Sequence, residues 1–172
     1  MKKKKYPSAE LLQSVCADDY KRLIETYDRI YDKINIALAF AGVVLLVVIS
    51  AFDYTKIQMI CKATNPKLLL LLAYIIFSSV STVCIIWAVI QLLCLLRSKP
   101  LTLVDSISIR NDEIYRENIE DASVWLIDKY TIAINAIKQL NASKQKAFDS
   151  AVIKIIIAII CYAFVVVIQK GV

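Results

Sequence analysis

The sequence predicts an all-α fold, and three observations carry that expectation. Of the 172 residues, 59% are hydrophobic, more than the roughly 45–50% usual for a soluble globular domain. Charged residues gather in some stretches and are nearly absent from others. With 2 Gly and 3 Pro, and no repeated turn signals, an all-β architecture is excluded. The uncharged stretches are long enough to cross a bilayer. The class is therefore a polytopic membrane protein with three transmembrane helices and long cytoplasmic amphipathic helices packed as a bundle.

Residues 1–33 form the first part. Lys2 to Lys5 are followed by charged, amphipathic sequence and not by an apolar core, so they do not read as a signal peptide. This basic run fits anionic lipid headgroups better than nucleic acid, because no interleaved aromatic platform accompanies it. Pro7 and Ser8 start a helix with Glu10 in its first turn. Cys16, Tyr20, Leu23, Tyr27, Ile30 and Ile34 then recur at alternating spacings of four and three, a single apolar stripe.

Residues 34–96 hold two spans and a short outer loop. Ile34 to Phe52 carries no charge, and nothing between Lys33 and Ile34 breaks a helix, so the amphipathic helix is expected to continue into the membrane. Ala37, Ala39, Ala41 and Gly42 offer small faces for close helix contact. Leu68 to Leu96 is also uncharged and longer than a span requires, so it must tilt or project. Its Tyr74, Ser78, Ser81, Ala88 and Gln91 share a small or polar face. Two readings remain for Ser78, Ser81 and Gln91: interhelical packing, or the lining of a pore.

Residues 97–149 begin with the basic corner Arg97 to Pro100 and an ambiguous stretch, 101–109. Asn111 is the expected cap of a long helix. Along it, Ile119, Ser123, Leu126, Tyr130, Ala133, Ile137 and Leu140 trace a seam whose natural partner is the 16–34 stripe. The acidic group Asp112, Glu113, Glu117, Glu120 and Asp121 reads as a solvated face beside Arg110 and Arg116 rather than a cation site. Residues 150–172 supply the third span and a short tail. Lys154 is expected to snorkel to the headgroups, and Asp32 and Lys33 to mark the membrane boundary.

Residues 1–33 and 97–149 carry eight Lys/Arg each, which places the N-terminus in the cytoplasm by the positive-inside rule. Catalysis has no support: His is absent, and no nucleophile, phosphate-loop or metal motif occurs. The cysteines are scattered singly. Cys16, Cys84, Cys94 and Cys161 fall in helices, and Cys61 in the outer loop has two readings, a free thiol, which is favoured, or a cross-link between subunits.

The order of parts carries a resemblance. Asp32-Lys33-Ile34-Asn35-Ile36-Ala37-Leu38 enters a span, a second span stops at Lys99-Pro100, and a long helix with Tyr130, Asn135, Lys144 and Ala147 leads into the last. This layout resembles the small transmembrane effectors of bacterial anti-phage signalling, the Pycsar membrane effectors and related SLATT-domain proteins. The resemblance implies a homo-oligomeric, multi-pass protein of the bacterial inner membrane. It also implies that a cyclic nucleotide second messenger or a soluble partner triggers loss of membrane integrity, with no other cofactor. An Asp-x-Lys-Ala motif is not matched, since Asp32 and Lys33 are adjacent, so no ligand site carries over. Two other functions fit the residues alone: a membrane-anchored scaffold for a soluble partner, and a small ion channel or holin.

Overall fold

The computed structural model describes residues 6–53, 55, 65–97, 104, 114 and 117–171. Lys2 to Lys5, Cys61, the corner at 98–100, residues 101–103 and 105–109 of the ambiguous stretch, Asn111, Asp112 and Glu113 of the acidic group, and the neighbouring Arg110 and Arg116 lie outside them. Among the described residues there is no strand, and three long helices account for nearly all of them. These are α1 (Ala9–Ser50), α2 (Asn65–Leu96) and α3 (Ile119–Gly171). Each contains a stretch long and apolar enough to cross a membrane, and together they are compatible with a multi-pass membrane protein.

α1 runs for 42 residues without a break at Lys33. No proline lies within it, and Gly42 alone does not stop a helix. Its end is local chemistry: Asp53 accepts hydrogen bonds from the Thr55 amide at 2.9 Å and the Thr55 hydroxyl at 2.6 Å, a side-chain turn that competes with helix. α2 carries Pro66 in its first turn, where the missing amide hydrogen costs nothing. α3 begins at Ile119, with the Asn118 carbonyl accepting from Ala122 at 3.0 Å.

The chain divides into two compact units. One comprises Met1–Tyr31 and Ser98–Gln145, the other Asp32–Arg97 and Lys146–Val172. In the first, charged positions alternate with a buried strip. In the second, apolar side chains cover both the inside and much of the outside: Ile36, Phe40, Val43, Leu69, Trp87, Ile153 and Val167 are all exposed. That surface suits lipid, not water.

The buried positions follow a seven-residue repeat. On α1, Tyr27, Ile34, Ala41 and Val48 are buried, each seven residues after the last. On α2, Leu71, Tyr74, Ser78, Ser81, Ile85, Ala88 and Leu92 alternate by three and four. On α3, Ile137, Lys144, Ala151, Ala158 and Val165 repeat every seventh residue. Side chains at such spacing share one helix face. The small-residue expectation for α1 is corrected in part. Ala41 is fully buried, whereas Ala39 is exposed and a Cβ on Gly42 would meet open space.

Candidate functional site

The unit of Met1–Tyr31 and Ser98–Gln145 contains a buried polar cluster built from α1 and α3. Tyr27 and Tyr31 are one helical turn apart on α1, so their rings meet: the centroids lie 4.9 Å apart, edge to face, and the two phenols share a hydrogen bond at 2.9 Å. Lys144 of α3 enters between them. Its ammonium donates to Tyr31 Oη at 2.5 Å and to Tyr27 Oη at 3.4 Å. It also lies 3.8 Å from the Tyr31 ring centroid and 4.6 Å from that of Tyr27. One turn back on α3, Asn141 Nδ2 donates to the Leu23 carbonyl at 3.1 Å, while its Oδ1 is buried with no partner among the described residues.

Lys144 is only 4% exposed, which would be costly for an unsatisfied cation. Two phenol oxygens and two ring faces replace water here; a desolvated cation–π contact is worth ~2 kcal/mol or more. The ion pair of Arg22 with Asp19 lies elsewhere on the surface of α1. Lys144 is thus held by neutral, polarizable groups rather than by a carboxylate.

The two phenols are driven in opposite directions. Burial, then the Tyr31 hydrogen bond and the charges of Tyr31 and Asp28, push Tyr27 up to about 12. Burial also acts to raise Tyr31, but hydrogen bonds from Lys144 and Tyr27 and the Lys144 charge outweigh it and hold Tyr31 below its ordinary value.

Of the residues singled out from the sequence, Tyr27 and Ile30 are buried on α1 and Ile137 on α3. Tyr20 and Tyr130 are brought together with ring centroids 5.5 Å apart, and Tyr20 Oη accepts from the Val104 amide at 3.2 Å. Leu23 and Leu126 are half-buried. Ile119 is 70% exposed and outside the seam, because it opens α3 ahead of the first buried turn. Glu117 is exposed, and Glu120 and Asp121 are half-buried. Glu120 Oε2 accepts from the Tyr6 amide at 3.1 Å.

In the apolar unit a second polar group ties α2 to α3. Ser81 Oγ donates to the Ala158 carbonyl at 2.8 Å, and Gln91 Nε2 to the Ala147 carbonyl at 2.8 Å. Ser78 is buried on the same face. Within one chain these three side chains are occupied in packing, the first of their two readings. The Lys154 ammonium donates to Gln91 Oε1 at 2.6 Å and to Ser150 Oγ at 2.9 Å. The Gln91 amide oxygen is a ready acceptor for that ammonium. Asp32 and Lys33 are exposed.

Tyr31 and Asn141 were missed from sequence, and Lys144 was noted only for its place in the layout. An apolar template steps from Ile137 to Leu140 and passes over the polar pair that continues the buried face. The signal was present in Lys144 itself, seven residues after Ile137 and seven before Ala151. Among the described residues no group of three acidic, cysteine or histidine side chains lies where it could hold a metal ion. No protein-family model, curated protein or solved structure matches the chain.

Proposed function

We propose that the chain is a membrane-impairing effector of a bacterial defence system. In this reading it sits in the inner membrane with its N-terminus in the cytoplasm. Its amphipathic segments pack as a bundle, and oligomeric rearrangement of that bundle disrupts the bilayer or opens a pore. A cyclic nucleotide or a soluble partner serves as the trigger. The observation that supports it best is continuity. α1 and α3 each pass from a charged half into an apolar half without a break, and their buried seven-residue register continues through the change. A helix has no soft joint, so rotation or displacement at one end reaches the other.

The contacts along that register suit a switch. Lys144 between two tyrosines is a polar contact at a buried seam position where an apolar side chain would be more stable; such residues set register at a cost. A homo-oligomer is supported by the apolar surface. Only 17%, 28% and 28% of the three span windows are buried within the chain, which leaves most of each for lipid or further copies.

Inducing the protein in bacterial cells and following membrane potential with a voltage-sensitive dye tests the reading. Depolarisation is expected on induction together with a panel of cyclic mononucleotides. Unchanged potential at full membrane abundance, with and without them, would overturn it.

One observation favours the scaffold reading as well: Leu11, Leu12 and Val15 are exposed near the start of α1. A soluble partner docking there would be lost on Leu11→Asp with Val15→Asp, in a pull-down from cells showing no toxicity.

A further inference from the structure

We propose that the groove between α1 and α3 in the apolar unit binds one anionic phospholipid, with an acyl chain along the groove and the headgroup phosphate against Lys33. The groove has a volume of about 430 Å³, and its walls include Ala37, Phe40, Phe148, Val152 and Ile159, with Lys33 at one end.

Depth, polarity and charge point to the same occupant. On α3 the lining runs from Phe148 to Ile159, a rise of ~16 Å at 1.5 Å per residue. Half of a ~30 Å hydrocarbon core is about the same depth, so the groove is one leaflet long. Lys33 is the last charged residue of α1 before the uncharged stretch that begins at Ile34, which places the cation where a lipid phosphate lies and the apolar walls where its chains lie. Lys33 is exposed; its aliphatic stem borders the groove, whose lining is almost wholly apolar, and its ammonium is free to lie at the mouth. Its neighbour Asp32 is not part of the lining. A soluble apolar ligand would leave that cation unused, and a zwitterionic lipid would meet it with no net charge. The groove separates the two helices that extend beyond this unit, so a lipid seated in it braces the helices on which the proposed effector action depends.

The proposal rests on the apolar helices lying in a bilayer and not on effector activity. The test uses the full chain purified in detergent and native mass spectrometry, with phosphatidylglycerol or phosphatidylcholine of the same acyl chains titrated in. One phosphatidylglycerol per chain is expected to be retained in preference to phosphatidylcholine. Lys33→Gln should weaken phosphatidylglycerol about fivefold, the equivalent of ~1 kcal/mol for one basic residue at an anionic surface, and leave phosphatidylcholine nearly unchanged. Ala37→Trp, or Ile156→Trp if the first fails to fold, should displace both lipids while the melting temperature holds. Equal retention of the two lipids, or an unchanged phosphatidylglycerol affinity in Lys33→Gln, would overturn the proposal. So would a groove-filling variant that changes subunit number and leaves lipid retention intact, because a second copy would then cover the groove.

Discussion

Lys144 donates a 2.5 Å hydrogen bond to Tyr31 Oη, from the opposite helix and with almost no access to solvent. This contact joins α1 to α3 through a cation that has phenols in place of a carboxylate. A buried carboxylate partner would make a stronger and less reversible pair, whereas neutral phenols hold the ammonium by dipoles and ring faces that a modest rearrangement can release.

The opposed phenols give a pH signature. Tyr27 is an acid whose value in the fold is raised, to about 12, so the stability it confers is complete below its ordinary value near 10 and is lost as pH rises through about 12. Tyr31, held low, adds stability in the other direction, appearing as pH rises through its lowered value. Absorbance at 295 nm should therefore show one phenol ionising early and one late. Lys144→Gln should shift the early one upward, and Tyr27→Phe should remove the loss of melting temperature between pH 10 and 12. A titration in which all tyrosines ionise together would contradict the cluster.

Ile137 is 1% exposed and Ile119 70%, although both sit on the seam read from sequence. Ile137→Ala should cost about 2–5 kcal/mol through lost burial and the cavity left behind. Ile119→Ala should stay within about 0.5 kcal/mol. Thermal unfolding in detergent measures both, and equal effects would mean that the buried face has been misplaced.

Gln91 serves Ala147 and Lys154 together. Gln91→Leu removes both contacts and strips the Lys154 ammonium of one acceptor, for which about 1–3 kcal/mol is expected. Pairing it with Lys154→Met should recover part of that loss, since the orphaned cation is then gone. The double-mutant cycle reads this directly, and strict additivity would show that the two side chains do not interact.

Ser81 is buried with its hydroxyl on the Ala158 carbonyl. A cysteine placed there should resist a water-soluble maleimide in the resting protein, in contrast to one at exposed Asp28 in the charged half of α1. Rapid labelling of Ser81→Cys at rest would favour a water-filled face over packing.

The sequence made the helices legible because their signals are long and redundant. Nineteen uncharged residues from Ile34 to Phe52 outweigh any local propensity, and the missing breaker at Lys33 appears as one continuous α1. The start of α3 was less legible. Asn111 and Asn118 are both cap-forming residues with acidic neighbours, and the helix begins beside the second. The polar cluster was hidden for a different reason. Burial of Lys144 and Asn141 depends on what α1 presents to them, Tyr27, Tyr31 and the Leu23 carbonyl, and hydrophobic periodicity contains no information about a partner across the interface. The contact of Lys154 with Gln91 is hidden likewise, because the two residues are 63 apart in the chain.

The most direct test of coupling between the polar seam and the membrane is the membrane potential of bacterial cells expressing wild type or Lys144→Ala at matched membrane abundance. If the Lys144–Tyr31 contact holds the resting arrangement, Lys144→Ala should depolarise cells at a lower level of expression than wild type. Identical potentials for the two proteins, with neither departing from uninduced cells, would contradict the proposed function.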